Sequence, residues 1–375
     1  MRLALTEQQQ ASKAAFRAFV DQEVFPYAAE FDRQEMLPQE MIQKLAQKKY
    51  LGAIIPDEMG GMGTDLITFG VLNEELGRGC SSVRSLLTVH SMLSYAILRW
   101  GTAAQKESWL PKLATGEKIG AFALSEPNVG SDAKSIETTA VPKGESYLLN
   151  GCKKWITFAQ IADLFVVFAQ CEGKPTAFLV ERDTPGLSIT PIRGLLGTRA
   201  SMLAELRFEQ CEVPKTNLIG GKGFGFLTVA LSALDIGRYS VATGSVGIGQ
   251  ACLEASQAYS QTRQQFGTQL KNHQLIRQMM TNMITHVQAA RLLCYQAGYQ
   301  KEIEDKDATT SILIAKYFAS TMAVQAASDA VQIHGANGCS ADYPVQRYLR
   351  DAKVMEIIEG STQIQQIMIA KNAYG

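Results

Sequence analysis

The sequence predicts an α+β protein in which a helical domain is followed by a small β domain and then by a helical bundle. The spacing of apolar residues is helical up to about residue 118. From residue 119 to residue 222, short apolar runs alternate with Gly, Pro, Asp and Asn, the residues of turns. Long helical periods return after Gly225. The predicted domains are therefore residues 1–118, 119–222 and 223–375.

The first domain begins with a capping box, Thr6-Glu7-Gln8-Gln9, which predicts a helix start within the first residues. Pro38 suits the first turn of a helix that runs to Tyr50 and ends before Gly52. Residues then recur at helical spacing up to Gly101, namely Leu86, Leu87, His90, Leu93 and Ile97. These patterns predict an all-helical first domain.

The second domain has the pattern of short strands joined by turns. Residues 164–168 and 177–180 are apolar runs, and Asp183-Thr184-Pro185-Gly186 has the composition of a turn. Residues 206–208 alternate in polarity before Pro214. A region of about 100 residues is large enough for a compact β-barrel or sandwich.

The third domain shows the spacing of packed helices. One helix is predicted from the near-heptad series Ile276, Met280, Met283, Val287, Ala290 and Cys294. The next is predicted from a stripe of mostly small residues, Ala315, Ala319, Met322, Ala326 and Ala330. The glycine-rich segment 220–225 lacks the Walker ending, so we interpret it as a hinge, with a phosphate cradle as the less favoured alternative. No strand is followed by Gly-x-Gly-x-x-Gly, so a Rossmann site is unsupported.

The composition excludes several functional classes. Of 375 residues, 46% are hydrophobic and 19% charged, and the formal net charge is zero, which argues against nucleic-acid binding. The seven cysteines form no Cys-x-x-Cys and the four histidines lack ligand spacing, so we predict free thiols and no metal site. The N-terminal segment has no secretory or transit pattern, and Arg84 and His90 interrupt the apolar stretch 83–100. These features predict a soluble cytoplasmic protein.

One carboxylate stands out near the end of the chain. Glu359 follows Ile357 and Ile358 and precedes Gly360. Apolar neighbours disfavour the ionised form and raise the pKa of such a glutamate, which suits abstraction of a proton next to a carbonyl. A helix-end glutamate near solvent is the favoured alternative for an isolated Glu-Gly pair, and the motifs elsewhere in the chain decide against it.

Four further motifs accompany this segment in order along the chain. They are residues 122–132 (FALSEPNVGSD), 150–157 (NGCKKWIT), 263–267 (RQQFG) with His273-Gln274, and 332–338 (QIHGANG). Together with the segment around Glu359, they resemble the acyl-CoA dehydrogenase family in order and in spacing, almost from end to end. The resemblance implies an N-terminal helical domain, a middle β domain and a C-terminal four-helix bundle. It also implies an FAD-dependent oxidoreductase that acts on CH–CH bonds.

The resemblance implies how FAD is bound. Around the flavin it places the loop of Phe122, Leu124, Ser125, Gly130 and Ser131, followed by Trp155, Ile156 and Thr157. Pro127 and Gly130 make this loop irregular, which is expected to leave backbone N–H groups and the hydroxyls of Ser125 and Ser131 free to donate to the pyrimidine ring. Taken alone, Trp155 would be a core tryptophan.

The remaining cofactor residues implied by the resemblance come from a neighbouring subunit. Around the pyrophosphate it places Arg263, Gln265, Phe266, His273 and Gln274, and around the adenosine it places Gln332, Ile333, Gly335 and Ala336. The segment Ser361, Thr362 and Gln363 is expected to close over the same cofactor. An active site shared in this way requires at least a dimer, and the family norm is a homotetramer.

In the resemblance, Glu359 matches the base that takes the α-proton of an acyl thioester while FAD accepts the β-hydrogen. Some relatives carry the base just before the arginine of the first bundle helix, but here that position is Gly237, ahead of Arg238. Asp235 and Arg238, with Ser131, resemble residues that hold the pantetheine arm. Ile358 and Gly360 are expected to border the substrate.

Three departures from the family bear on the substrate. Phe158-Ala159 replaces Asn-Gly, Ile358 replaces a tyrosine, and Ala336 replaces a glycine. With residues 80–85 (CSSVRS), they favour a dehydrogenase that acts on a small polar acyl group on an acyl carrier protein, in the biosynthesis of hydroxymalonyl or methoxymalonyl extender units for polyketides. The alternatives are a short-chain acyl-CoA dehydrogenase of fatty-acid or amino-acid catabolism that passes electrons to an electron-transfer flavoprotein, a flavin oxidase, and an inactive interaction protein.

Overall fold

A computed structural model describes residues 4–374, and its first region is helical, as predicted. Thr6 caps the first helix with both hydrogen bonds of the predicted capping box, because its Oγ1 accepts from the Gln9 N–H at 3.2 Å and its own N–H donates to Gln9 Oε1 at 3.0 Å. The helix after Pro38 ends at Gln47, three residues earlier than predicted. The helices are α1 (Glu7–Phe19), α2 (Ala28–Gln34), α3 (Gln39–Gln47), α4 (Leu66–Gly79), α5 (Ser81–Trp100) and α6 (Ala103–Ala114).

The middle region is one strongly buried eight-stranded sheet. Its strands are β1 (Gly120–Ala123), β2 (Thr139–Lys143), β3 (Ser146–Ile156), β4 (Leu164–Cys171), β5 (Lys174–Glu181), β6 (Leu187–Pro191), β7 (Ala204–Pro214) and β8 (Leu218–Ile219). The spatial order is β6-β7-β3-β2-β4-β5-β8, and β1 pairs in parallel with β4. Both apolar runs predicted to be strands lie in β4 and β5, which pair antiparallel along their whole length.

The last region is again helical. A π-helical turn, Gly225–Ala230, leads from the glycine-rich segment into α7 (Leu231–Thr262). A short hairpin of β9 (Gln264–Gln265) and β10 (Thr268–Gln269) precedes α8 (Gln274–Glu302), α9 (Ala308–His334), α10 (Val345–Met355) and α11 (Thr362–Tyr374). Helices α7, α8 and α9 pack on one another, and α10 and α11 pack on α9. The apolar stripe predicted on α8 is buried from Met283 to Cys294.

The helix α7 is the central element of the chain, because it packs against α4 and α5 on one side and against α9 on the other. Glycines allow the backbones of α4 and α7 to touch. A Cβ placed at Gly77 would lie 2.5 Å from the carbonyl oxygen of Gly244, and one at Gly247 would lie 2.0 Å from that of Glu74. Helix α5 also packs against α7, and the candidate site lies where these two helices meet.

The loop between β6 and β7 attaches the sheet to α10 and to α5. The Thr198 N–H donates to Asp351 Oδ1 at 2.6 Å, and the Ala200 N–H donates to Ser82 Oγ at 3.2 Å. Within the range 4–374, no helix is long and apolar enough to cross a membrane. The same residues contain no group of three or more His, Cys, Asp or Glu side chains that could hold a metal ion.

Candidate active site

Glu359 lies in the loop 356–361, between α10 and α11, with a left-handed backbone at a φ of 54°. Two buried side chains hold this loop. Gln365 Nε2 donates to the carbonyl oxygens of Glu359 and Gly360, both at 3.1 Å, and Lys316 Nζ donates to that of Gly360 at 2.7 Å. These hydrogen bonds fix the backbone of the loop, while the Glu359 carboxylate points towards Gly237 on α7.

The Glu359 carboxylate faces a gap on α7 that Gly237 leaves open. A Cβ placed at Gly237 would lie only 2.6 Å from Glu359 Oε2 and 2.7 Å from Met92 Sδ on α5. The resemblance implies that some relatives carry the base at the position of Gly237. A side chain at position 237 and the Glu359 carboxylate would occupy neighbouring space in this structure.

The surroundings of Glu359 suit a general base near neutral pH. Its Oε2 is buried and has no hydrogen-bond partner among the residues that the structure describes. Burial raises the pKa of Glu359 to about 7, while the charges of Arg238, Lys316 and Arg84 act in the opposite direction. A carboxylate that loses its proton near pH 7 accepts a proton readily from a weak carbon acid, provided the ligand is positioned within reach. Glu359 Oε2 is thus desolvated, as predicted, although Ile357, one of the two neighbours expected to bury it, is 58% exposed.

Asp235 and Arg238 lie beside this loop and are already engaged with protein groups. Arg238 Nε donates to the Glu359 carbonyl oxygen at 3.4 Å, and Arg238 Nη1 lies 3.3 Å from Asp235 Oδ1. The other carboxylate oxygen of Asp235 accepts from Lys301 Nζ at 2.9 Å and from Thr309 Oγ1 at 3.0 Å. Asp235 therefore joins three helices at the mouth of the site and keeps Arg238 in place.

The predicted flavin loop is held by a buried ion pair that the sequence analysis missed. Lys153 Nζ lies 2.6 Å from Glu126 Oε1, and both side chains are almost completely buried. Lys153 also donates to the Leu124 carbonyl oxygen at 3.1 Å, and Glu126 accepts from the Thr138 N–H at 3.0 Å. Burial lowers the pKa of Lys153 to about 8, and Glu126 opposes that shift. Both residues stand within recognised motifs, but nothing in their spacing shows that they pair.

Replacing Lys153 with methionine is expected to destabilise the protein by about 3–5 kcal/mol, because it leaves the Glu126 carboxylate buried without its cation. Chemical denaturation of the single variant measures this loss, and the double variant Lys153→Met with Glu126→Gln is the matched control. The double variant should recover much of the stability. If both variants are equally destabilised, the uncompensated charge is not the cause.

Trp155 is a surface residue, so the interpretation of it as a core tryptophan is wrong. The pairing of β3 with β7 changes register between Lys153 and Ile156, and Trp155 adopts a φ of 65° at this bulge. The indole is 51% exposed, and the Lys154 ammonium lies 5.2 Å from its centroid. A bulky residue in a left-handed conformation is strained, which is typical of positions that present a side chain for function.

One predicted donor of the flavin loop is not free. The Ser125 hydroxyl donates to the Lys154 carbonyl oxygen at 2.7 Å, so it is committed to joining the loop to β3. Ser131 and Gly130 are exposed, whereas the side chains of Phe122 and Leu124 are buried. Ile156 is buried, and Thr157 is half-buried beside Trp155. Of the two hydroxyls expected to donate, Ser131 remains available.

The residues expected to bind the far end of FAD lie at the opposite end of the C-terminal helices. Arg263, Gln265 and Phe266 are exposed at the β9–β10 hairpin, next to His273 and Gln274. From Gly237 to Arg263 the helix α7 extends about 39 Å. The structure thus places Arg263 and its hairpin far from Glu359 within one chain.

The second distal group, residues 332–336, lies at that same end. Tyr259 stacks on His334 with ring centroids 4.2 Å apart, and Asn337 Nδ2 donates to the Tyr259 hydroxyl at 2.9 Å. Gln332, Gly335 and Ala336 are exposed, but the Ile333 side chain is buried in the core. Ser361, Thr362 and Gln363 instead lie beside Glu359, at the near end. The residues predicted to bind FAD therefore fall into two separate groups in each chain.

The departures from the family do not all face the site. Phe158 and Ala159 are completely buried in the core of the β region, and the Phe158 N–H donates to the Ser201 carbonyl oxygen at 2.9 Å. Ile358 is half-buried next to Glu359, and Ala336 is exposed at the distal end. Since Phe158 and Ala159 pack against protein, they say nothing about the acyl group.

Three family models match consecutive parts of the chain. The acyl-CoA dehydrogenase N-terminal domain matches residues 6–117, the middle domain residues 121–211 and the C-terminal domain residues 221–374. The mitochondrial short-chain specific acyl-CoA dehydrogenase of Rattus norvegicus is 38% identical over 372 residues, which cover 98% of this chain and 90% of the relative.

Solved structures agree with these matches. Butyryl-CoA dehydrogenase of Megasphaera elsdenii has a TM-score of 0.96 at 35% identity and covers all of both chains. A chain of the structure described as the electron transferring flavoprotein of Acidaminococcus fermentans also has a TM-score of 0.96, at 38% identity, and covers 100% of this chain and 99% of that one. FkbI, described for the biosynthesis of a methoxymalonyl extender unit, has a TM-score of 0.88 at 32% identity, with 96% and 99% covered.

The predicted fold, an N-terminal helical domain, a middle β domain and a C-terminal helical domain, is confirmed by these matches. Members of the matched family are FAD-dependent oxidoreductases that act on CH–CH bonds. The relatives with short-chain acyl-CoA substrates are more similar to this chain than the carrier-protein enzyme, so the comparisons favour the alternative interpretation over the polyketide one. With three domain models in order and relatives aligned over nearly the whole chain, the protein belongs to the acyl-CoA dehydrogenase family.

Proposed function

We propose that the protein is a short-chain acyl-CoA dehydrogenase in which Glu359 removes the α-proton of the acyl thioester. The observation that carries this proposal is the buried, unpartnered Glu359 carboxylate, whose pKa of about 7 leaves it ready to accept a proton. The identity to short-chain enzymes supports a CoA thioester as the substrate.

The described residues fit a flavin beside this carboxylate. The half-exposed indole of Trp155 provides a flat apolar surface, Thr157 follows two residues later with a hydroxyl group, and Ser131 has an exposed one. The strained backbone at Trp155 fits a side chain held out for a ligand. Bound FAD supplies the acceptor for the β-hydrogen and its electron pair. We propose Phe122, Leu124, Ser131, Trp155, Ile156 and Thr157 as its near-end contacts, the first two through their backbone.

Each residue around Glu359 has a distinct part in the proposed reaction. Glu359 takes the α-proton, and the burial of its Oε2 limits the access of water to that atom. Lys316 and Gln365 hold the carbonyl oxygens of the loop, which leaves the Glu359 N–H free to orient towards the thioester oxygen. Arg238 and Asp235 are proposed to hold the pantetheine arm at the mouth of the site, and Ser131 to assist them. Ile358 and Gly360 are proposed to border the acyl group.

We propose that the active site is shared between two copies of the chain. About 39 Å separate Gly237 from Arg263 along α7, so the Arg263 group and the 332–336 group are proposed to bind the cofactor of a partner copy. A dimer, or a tetramer made of two dimers, satisfies this requirement. The likeness to a chain of the Acidaminococcus fermentans structure supports an electron-transfer flavoprotein as the electron acceptor.

A carrier-protein thioester is the second candidate substrate, favoured by the structural likeness to FkbI. Anaerobic mixing of the FAD-loaded protein with matched acyl groups on CoA and on an acyl carrier protein separates the two candidates. Rapid bleaching of the flavin by butyryl-CoA supports the proposal. Bleaching only by small polar acyl-carrier-protein thioesters would instead assign the protein to extender-unit biosynthesis. Rapid reoxidation of the reduced flavin by air would indicate an oxidase.

A further inference from the structure

Lys316 is a fully buried lysine of α9 that lies beside the loop of Glu359. Its Nζ donates to the Gly360 carbonyl oxygen at 2.7 Å and to the Glu356 carbonyl oxygen at 3.4 Å. No carboxylate of residues 4–374 lies within 4.0 Å of this ammonium group. A buried ammonium group is costly unless an anion accompanies it, so backbone carbonyls alone are unusual partners for this lysine.

The negative charge that acts most strongly on Lys316 is that of Glu359. Burial lowers the pKa of Lys316 to about 8, while Glu359 opposes this shift, Arg238 adds to it and Glu356 opposes it more weakly. Lys316 acts on Glu359 in return, because its charge opposes the burial that raises the pKa of Glu359. Each of the two groups therefore favours the ionised form of the other across a gap of more than 4.0 Å.

Two other cations act on Glu359, from α7 and from α5. The Arg238 guanidinium of α7 lies 3.3 Å from Asp235 Oδ1, so a carboxylate offsets part of its charge. The Arg84 guanidinium of α5 donates to Thr88 Oγ1 at 2.7 Å. Neither of them reaches Glu359 Oε2, which has no hydrogen-bond partner among residues 4–374.

The remaining charges near the loop form pairs of their own. Glu356 Oε2 lies 2.7 Å from the ammonium group of Lys353, which is half-exposed on α10. Asp235 also lies 2.9 Å from the ammonium group of Lys301, at the end of α8. Lys316 thus differs from these lysines, since it is completely buried and has no carboxylate of its own within residues 4–374.

Gln365 holds the same loop without carrying a charge. Its Nε2 donates to the carbonyl oxygens of Glu359 and Gly360, both at 3.1 Å, and the side chain is fully buried. A neutral donor is therefore able to hold this backbone. The ammonium group of Lys316 adds what Gln365 does not provide, which is a positive charge close to the carboxylate of the base.

We infer that Lys316 is a positioning residue whose buried charge keeps the Glu359 carboxylate ionised at neutral pH and leaves its oxygens free for the substrate. This inference rests on the proposed function and deepens it. A cation bonded directly to the carboxylate would occupy the oxygens that must take the α-proton and would make Glu359 a weak base. Because Lys316 is bonded to the carbonyl oxygens of Gly360 and Glu356 instead, it stabilises the anion through space.

The test is the rate constant of flavin bleaching by butyryl-CoA, measured anaerobically against pH with FAD-loaded variants. In Lys316→Met the midpoint of the rise should move to higher pH by about one unit, because the lost cation no longer favours the ionised carboxylate. The ratio of the wild-type constant to the variant constant should therefore be about 10-fold larger well below the wild-type midpoint than on the alkaline plateau. Lys316→Arg keeps a positive charge and should restore the wild-type midpoint.

Gln365→Met is the matched control, because it removes two hydrogen bonds from the same loop and no charge. It should lower the rate constant by the same factor at every pH and leave the midpoint in place. An unchanged midpoint in Lys316→Met, or an equal shift in Gln365→Met, would overturn the inference.

Further variants keep the inference open to refutation if Lys316→Met does not fold. Lys316→Gln keeps a donor without the charge and should show the same shift. If neither neutral variant folds, Lys316→Arg decides, since a midpoint displaced by about one unit despite the retained charge would contradict the inference. A wild-type constant with no rise near pH 7 counts against Glu359 as the base and so against the proposed function. A wild-type rise that neutral variants leave at the same pH counts against the inference alone.

Discussion

Replacing Glu359 with glutamine is expected to slow dehydrogenation by about 10²–10⁴-fold while FAD stays bound, because an amide of the same shape cannot accept the α-proton. The substitution removes no hydrogen bond from Glu359 Oε2 within residues 4–374, and it relieves the burial of a charge. The fold and the loop 356–361 should therefore persist, since Gln365 and Lys316 hold the backbone of that loop and not its carboxylate.

Steady-state oxidation of butyryl-CoA, with FAD content measured on the same samples, checks this expectation. Glu356→Gln is the matched control, because Glu356 belongs to the same loop but pairs with Lys353 at 2.7 Å. That variant should retain activity within a few fold. Glu359→Gln turnover close to the wild-type rate would show that another group removes the proton.

Gly237→Ala is expected to lower kcat/KM by about 100-fold or more, since a displacement of the base by about 1 Å has an effect of that size. The added methyl would lie 2.6 Å from Glu359 Oε2 and 2.7 Å from Met92 Sδ, so either the carboxylate or α5 must move. Alanine is a better helix former than glycine, so α7 itself should not be weakened.

The matched control for this prediction is Gly249→Ala on the same helix. A Cβ at Gly249 would also meet a methionine sulfur at 2.7 Å, that of Met322, but at a position three turns away from Glu359. The control should keep its activity, while thermal unfolding reports any packing cost in both variants. Full activity in Gly237→Ala would show that the space beside Glu359 is not part of the acyl site.

The periodicity of the chain predicted its helices and strands well, because the spacing of apolar residues reflects which side of each helix or strand is buried. Thr6 caps α1, and the apolar runs form β4 and β5. The neighbours Ile357, Ile358 and Gly360 drew attention to Glu359, and the motifs elsewhere in the chain decided its assignment. The sequence could not show which residues surround the Glu359 carboxylate, since Gly237 and Met92 come close to it only because α5 packs against α7.

Other features of the site depend on contacts that a sequence does not show. Lys153 and Glu126 are 27 positions apart and pair only because β3 passes beside the flavin loop. The Ser125 hydroxyl is committed to a backbone carbonyl of Lys154, which its motif does not reveal.

The most direct test of the central claim is the pH dependence of flavin bleaching by butyryl-CoA, measured under anaerobic conditions as a second-order rate constant. The ionised form of Glu359 is the active base, so the constant should be low in acid, rise through a pKa of about 7 and level off above it. The same series with Glu359→Gln should lack this rise. A wild-type constant that is independent of pH between about 5.5 and 8.5, or that falls as the pH rises, would contradict proton abstraction by Glu359.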